Sequence, residues 1–353
     1  MEPKSKDHMS VLSALPPLDG QGRVQQPIVV VDLDVSEAVA EAVKASAGSR
    51  AGVGPAGTGR LLVGVATRPL SPQANMLAEV LDVTYVRKAE GASRAMVEVP
   101  DPRGALDRLA EQATRTPVAA LTLTQLLRAT EDLVGQSALM VESFAYSMLL
   151  AGSEYKAWLG SQARRRPSVP TDGPLVQVDR AGGRLEVMLN HARRRNAYSA
   201  RLRDELHDAL RVALLDPSIE SLVLCGAGPS FSAGGDLDEF GTIHDPAVAH
   251  IIRSTAGVAT SLETLRPRLE VRVQGPSVGA GVEMAAFGGR VVARPDATFR
   301  LPEVLMGLLP GAGGTVSIAR RIGRWRLLHL CLSGEQIDAR RALDWGLVDE
   351  VEG

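Results

Sequence analysis

Cysteine is nearly absent from this chain. Its 353 residues include two, Cys225 and Cys331, too few for a disulfide framework and in keeping with a reducing compartment. Aromatic residues amount to 3%, so no base-stacking platform is expected and nucleic acid is not an expected partner. Charge of one sign is missing as well. The formal net charge of -2 gives no general pull towards polyanions or membrane surfaces. No apolar run approaches the roughly 20 residues of a spanning helix, and the opening MEPKSKDHMS lacks the apolar centre of a secretory signal. The six histidines show no metal-ligand spacing, and no Walker or G-x-G-x-x-G fingerprint follows a strand. The expectation is a soluble cytoplasmic protein with no metal, no prosthetic group and no membrane partner.

What is present is an ordinary core composition, 45% hydrophobic and 23% charged, with 35 glycines that crowd towards the second half. The length suits two domains. Residues 1–26 mix charge, Pro and Gly and read as a flexible arm. Residues 27–160 alternate strand and helix signals, an α/β pattern. Strands are expected at Ile28–Leu33, Leu61–Ala66, Ala95–Val99 and Val118–Leu123. Helices are expected at Ser36–Ala45, Gln73–Leu81, Arg103–Ala113, Thr124–Val134 and, as one long helix, Ser137–Leu159. This part offers no phosphate loop and no cluster of titratable groups, so it reads as a structural or interface domain. Residues 161–174, with Arg164, Arg165 and Arg166 ahead of Pro and Gly, read as a linker. The second domain, 175–353, opens with a hairpin across Gly182-Gly183. A helix from Ser199 to Leu215 follows, with Leu202, Leu206, Leu210 and Leu214 on one face. Strand Leu222–Cys225, a helix through Ala247–Leu265 and the alternating strand Leu269–Val273 come next.

Chemistry concentrates between Gly275 and Gly314. A glycine-rich turn, Gly275-Pro-Ser-Val-Gly-Ala-Gly281, joins a strand to a helix and is followed at once by Glu283. Glu303 comes next, and then a second turn, Pro310-Gly-Ala-Gly-Gly314. An earlier turn, Ser232-Ala-Gly-Gly-Asp-Leu237, also follows a strand and loop. Turns of this kind present unpaired backbone N–H groups. Two convergent donors make an oxyanion hole, and two carboxylates supply an acid and a base.

These motifs resemble the crotonase (enoyl-CoA hydratase/isomerase) superfamily. The resemblance lies in Phe231–Leu237, Gly275–Glu283 and Leu301–Thr315, with Leu189-Asn190, Arg195-Asn196-Ala197, Leu332-Ser333-Gly334 and Ala342–Val348 in the same order. It covers about residues 176–351 and implies a crotonase-like ββα spiral. The N-terminal α/β domain is then expected to be an addition, with a degenerate crotonase half as the alternative reading, since Thr116–Leu121 and the helix after it faintly resemble one. The resemblance implies that the N–H groups of Gly235 and Ala280 hold the thioester oxygen of an acyl-CoA. Glu283 and Glu303 would handle water and the α-carbon proton, and Gly311 would help place the water. Ala197 and Ala233, with Asp236 and Leu237 in the same loop, would hold the coenzyme A portion, and Arg194 and Arg195 would reach its phosphates. Coenzyme A enters as part of the substrate, and a homo-oligomer is implied.

Both glutamates together favour hydration. An isomerase or hydrolase reaction, or a non-catalytic acyl-CoA-binding scaffold, remains as an alternative. Family members continue beyond the position of Gly353 with helices that cover the acyl group, so the N-terminal domain is expected to supply cover or interface. Asp238 stands where many members carry Lys, and Glu270 and Arg272 stand in a strand that is usually apolar. A rival reading takes Gly275-Pro-Ser277-Val-Gly279 as a G-x-S-x-G nucleophile elbow. The only histidine downstream is His329, in the apolar run Leu327–Leu332, which reads as a buried helix residue.

Overall fold

The structure, a computed structural model, describes residues 18–47, 59–89, 93–162 and 172–353. Most of the expected arm and most of the expected linker, with its three arginines, lie outside the described residues. The chain divides into two compact units, residues 1–132 with 323–333, and residues 133–322 with 334–353. The expected boundary at residue 160 therefore differs from the observed one. No described helix is long and apolar enough to cross a membrane.

The first unit is built on four parallel strands in the order β1 (Ile28–Asp32), β2 (Leu61–Val65), β3 (Val83–Val86) and β4 (Met96–Glu98). Helices α1 (Ser36–Ala47), α2 (Pro72–Val80), α3 (Pro102–Arg115) and α4 (Pro117–Ala129) connect and flank them. β2 and β3 are buried along their whole length, as parallel strands covered on both faces must be. β3 escaped the sequence reading because four residues directly after a helix carry little periodic signal. The run Val118–Leu123 is helical, not a strand. Pro117 presets the first turn of α4, and Ala119, Ala120, Leu123, Leu126 and Leu127 bury one helical face. The segment that suggested a degenerate crotonase half thus has a different conformation. His329 belongs to this unit and is a core residue, its Nδ1 2.9 Å from the Tyr85 hydroxyl.

The second unit begins with α5 (Gly135–Leu150) and α6 (Ser153–Ser161), which break at Ala151-Gly152 where one continuous helix was expected. β5 (Val176–Ala181) and β6 (Arg184–Leu189) form the expected hairpin, with Gly182 at φ 59° in its turn. Helix α7 (Ala200–Leu215) is capped by Ser199, whose Oγ accepts from Leu202 N at 3.2 Å, a bond worth about 1 kcal/mol. Leu202, Leu206 and Leu210 are buried on its inner face. β7 (Ser221–Gly226), α8 (Pro246–Ala256), α9 (Ala259–Leu265), β8 (Leu269–Val273) and β9 (Pro276–Val278) follow. The unit continues with α10 (Ala280–Ala285), β10 (Arg290–Ala293), β11 (Thr298–Arg300) and α11 (Gly314–Ser333), kinked at Gly323. It ends with β12 (Gln336–Asp338), α12 (Ala339–Trp345) and β13 (Glu350–Val351). Residues 323–333 of α11 belong to the first unit.

Six strands form one sheet in the order β13-β10-β8-β7-β6-β5, parallel except for the hairpin, and β12-β11-β9 form a second. Glu270 and Arg272 occupy the outer face of β8, where Glu270 pairs with Arg272 at 2.7 Å and Arg290 at 2.6 Å. That pairing accounts for charge in a strand whose other face, Leu269, Val271 and Val273, is buried. The chain leaves β7 and β8 at the same end of the large sheet, and their loops carry the two glycine turns.

Candidate active site

The turn after β7 is held by Asn196. This residue is fully buried in a left-handed conformation, and its Nδ2 donates to the carbonyls of Ala227, Ser230 and Phe231 at 2.9–3.0 Å. Its own carbonyl accepts from Ser232 Oγ at 2.7 Å. The turn is then stitched to the one after β8: Val278 N donates to Ser232 O at 3.0 Å, and the backbone of Gly234 packs against Val278 and Ala280 N. This brings Gly235 and Ala280 side by side. Tyr198 N donates to Gly234 O and Asp236 N to Tyr198 O, a pattern that leaves the Gly235 N–H out. Ala280 is the first residue of α10, so its N–H has no partner within the helix. Among the described residues neither N–H has an acceptor.

Glu283 lies one turn into α10 and is 2% exposed. Its Oε2 accepts from Ala312 N at 2.7 Å and Gly314 N at 2.8 Å, so the second glycine turn wraps the carboxylate. Glu303 opens a short 3-10 turn, Glu303–Met306. Its Oε1 lies against Gly279, 2.4 Å from where a side chain would begin; at φ 51°, only a glycine suits that position. Glu303 Oε2 is buried without a hydrogen-bond partner among the described residues. Burial raises the Glu283 carboxyl well above its ordinary range; the neighbouring charges of Glu303 and Glu142 add to this, and the two backbone N–H groups oppose it. Burial pushes Glu303 up to about 7.

All five residues singled out as catalytic, Gly235, Ala280, Glu283, Glu303 and Gly311, line one cavity of about 640 Å³, within the range of small-molecule sites. The chain is poor in aromatics, yet Tyr146, Trp158, Tyr198 and Phe240 all face it. Ser277 does not line it. The side chain is fully buried in β9 and its Oγ has no hydrogen-bond partner among the described residues, which is not the setting of an activated nucleophile.

A family model described as enoyl-CoA hydratase/isomerase matches residues 180–353. The chain is 31% identical over 174 residues to a protein of Bacillus subtilis named probable enoyl-CoA hydratase, covering 48% of this chain and 67% of that one. It is 35% identical over 178 residues to the 2,3-dehydroadipyl-CoA hydratase of Escherichia coli, covering 47% of this chain and 65% of that one. The chain belongs to the enoyl-CoA hydratase/isomerase family. Among solved structures, an enoyl-CoA hydratase of Mycobacterium smegmatis is similar at a TM-score of 0.47 and 29% identity, covering 51% of this chain and 70% of that one. Membership of that family makes the matched region, residues 180–353, crotonase-like α/β. The chain spans just under two thirds of the E. coli relative and 21% of a peroxisomal bifunctional enzyme of Danio rerio.

Around this family core the remaining candidates separate. Ala233 and Leu237 line the cavity; Arg194, Arg195, Ala197 and Asp236 do not. Arg194 Nη2 is tied to Asp236 at 2.7 Å and to Asp238, which gives the aspartate at 238 a cationic partner within the site loops. Arg195 is exposed, and its carbonyl accepts from Ala233 N at 2.8 Å.

Part of the cavity wall comes from α5 and α6, which precede the matched region. Tyr146 of α5 stands against Gly311, where a methyl group would lie 2.2 Å from its Cδ2. Glu142 of α5, 2% exposed, accepts from Gly313 N at 2.8 Å, Thr315 N at 2.9 Å and Thr315 Oγ1 at 2.6 Å. Burial pushes it up to about 7. Sequence reasoning passed over this third carboxylate. One signal was available: Glu142 is the lone charged residue in the sequence of α5, GQSALMVESFAYSMLL.

Proposed function

We propose that the chain hydrates the α,β double bond of an enoyl-CoA thioester. The observation that carries this reading is the meeting of two carboxylates, Glu283 and Glu303, in one cavity with the N–H groups of Gly235, Ala280 and Gly311, which have no acceptor among the described residues. The Gly235 and Ala280 N–H groups would hold the thioester oxygen, and their bonds would strengthen as it becomes an enolate. Two buried carboxyls that repel each other hold one proton between them near neutral pH. Burial and neighbouring charge raise Glu283, but two backbone N–H donors are already aimed at its carboxylate, whereas Glu303 Oε2 has no partner among the described residues. On geometry we therefore assign the anion to Glu283 and the proton to Glu303.

Water held by Glu283 and the Gly311 N–H then adds to the β-carbon as Glu283 takes its proton. The double-bond electrons pass to the thioester oxygen, and collapse of the enolate draws the Glu303 proton to the α-carbon. The cycle closes when the proton passes from Glu283 back to Glu303. Ala233, Leu237, Ala197 and Asp236 belong to the loops that would carry the coenzyme A portion. Arg195 is the exposed guanidinium available to its phosphates, and Arg194 sets the loop through its aspartates. The cover over the acyl group is assigned to α5 and α6.

The test is a panel of enoyl-CoA thioesters, short, long and aromatic, followed by loss of conjugated-enoyl absorbance. Turnover that vanishes in Glu283→Gln and in Glu303→Gln is the expected result. Absorbance unchanged with every member of the panel would remove the hydratase reading.

A further inference from the structure

The cavity also holds a cation that the hydration chemistry does not use. Arg253 sits in the last turn of α8 and lines the cavity wall. Its Nε donates to Ser143 Oγ at 3.3 Å, and its Nη2 donates to Ser143 O at 3.3 Å and to Ser147 Oγ. These partners are neutral. Among the described residues no carboxylate lies within ion-pair distance of Arg253, and its Nη1 has no acceptor. The nearby Glu142 carboxylate is already turned onto Gly313 and Thr315. The Ser143 hydroxyl, while accepting from Arg253, lies 2.9 Å from His250 Nδ1 and can donate to it, which fixes the serine and with it the guanidinium.

Position relates this cation to the reacting atoms. The guanidinium carbon stands 4.4 Å from the centre of the Tyr146 ring, and the edge of that ring lies against Gly311. Arg253 is therefore one aromatic ring away from the N–H assigned to the attacking water, on the side of the cavity walled by α5 and α8. A guanidinium drawn partly out of water and given only neutral acceptors is poorly compensated. A carboxylate arriving in the cavity would supply the missing charge-assisted bond, a geometry arginine suits better than lysine.

We propose that Arg253 receives a carboxylate at the far end of the acyl chain, so that the substrate class is the CoA thioester of an unsaturated dicarboxylic acid. This rests on the reading of the cavity as an acyl-CoA site.

Binding of saturated thioesters, which cannot react, tests it apart from the chemistry. Succinyl-, adipyl- and suberyl-CoA are titrated calorimetrically against butyryl-, hexanoyl- and octanoyl-CoA. The expected result is a preference of about 10- to 100-fold for the carboxylated member of at least one pair, the range of one charge-assisted bond. Arg253→Met should erase the preference while leaving neutral thioesters bound, and Arg253→Lys should keep part of it. A merely structural arginine would weaken both members equally. Equal binding in the wild type, or a preference that survives Arg253→Met, overturns the proposal even if enoyl-CoA is hydrated. If Arg253→Met does not fold, the wild-type ratio and the Lys variant decide. A carboxylate preference without turnover of any enoyl-CoA sinks the hydratase reading alone, and no binding of any thioester sinks both.

Discussion

Replacing Glu142 by alanine removes one acceptor group and strands three donors. Gly313 N, Thr315 N and Thr315 Oγ1 all point at this carboxylate, and each buried donor left without a partner costs about 1–3 kcal/mol. The hydroxyl can rotate to another acceptor, so the loss expected at pH 6 is about 3–5 kcal/mol. The carboxyl's own titration acts in the opposite direction. Its folded pKa, raised by burial to about 7, exceeds the ordinary carboxylate value, so the folded state holds a proton that the unfolded state has released. Wild-type stability should therefore fall as pH rises from the ordinary carboxylate pKa to about 7. Glu142→Ala removes that penalty, so its deficit should be smaller at pH 8 than at pH 6. Glu142→Gln keeps the volume and one acceptor, and should lose less than Glu142→Ala at both pH values. Denaturant unfolding of the full chain at the two pH values measures this. The reasoning is refuted if Glu142→Ala unfolds within about 0.5 kcal/mol of wild type, the range of an ordinary surface substitution. A catalytic readout accompanies the stability one. The Glu142 charge raises both Glu283 and Glu303, so Glu142→Gln should move the acid limb of the hydration profile to lower pH.

Glu283→Gln and Glu303→Gln should each lower the turnover rate by about 100-fold or more, with saturated thioester binding retained in calorimetry. For the wild type, kcat against pH should be bell-shaped, with both limbs belonging to the coupled pair and lying above the ordinary carboxylate range. At low pH both carboxyls carry protons and no base remains, and at high pH the second proton is lost and no acid remains. Ser277→Ala should keep near-wild-type turnover, because the Ser277 Oγ is buried away from the cavity without a bond to lose; a large drop in rate would revive the nucleophile elbow. Gly311→Ala would set a methyl 2.2 Å from the Tyr146 ring, so the turn or the ring must shift. A rate loss that Tyr146→Leu partly restores is the expected outcome in steady-state kinetics.

Local pattern carried much of this protein. The hairpin at Gly182-Gly183, the Ser199 cap, the leucine face of α7 and the glycine turns flanking Glu283 and Glu303 each lie within a few residues of sequence, and each is present as expected. The failures have a common cause. Val118–Leu123 has an apolar run too short for periodicity to decide between strand and helix, and Pro117 with alanine-rich packing tipped it to helix. The four residues of β3 drew their strand character from pairing with β2 and β4, information held in other parts of the chain.

The sequence by itself picked out the candidate site, because glycine turns and two glutamates lie at short spacing along one stretch, Gly275 to Gly314. Tertiary structure decided what surrounds that core. It brought Gly235, some forty residues upstream, beside Ala280. It set Tyr146 against Gly311, turned Glu142 onto the second glycine turn and placed Arg253 on the cavity wall. These residues come from helices whose sequences read as ordinary amphipathic or apolar segments. Their chemistry arises only when folding removes them from water and leaves backbone N–H groups and neighbouring charges as their partners.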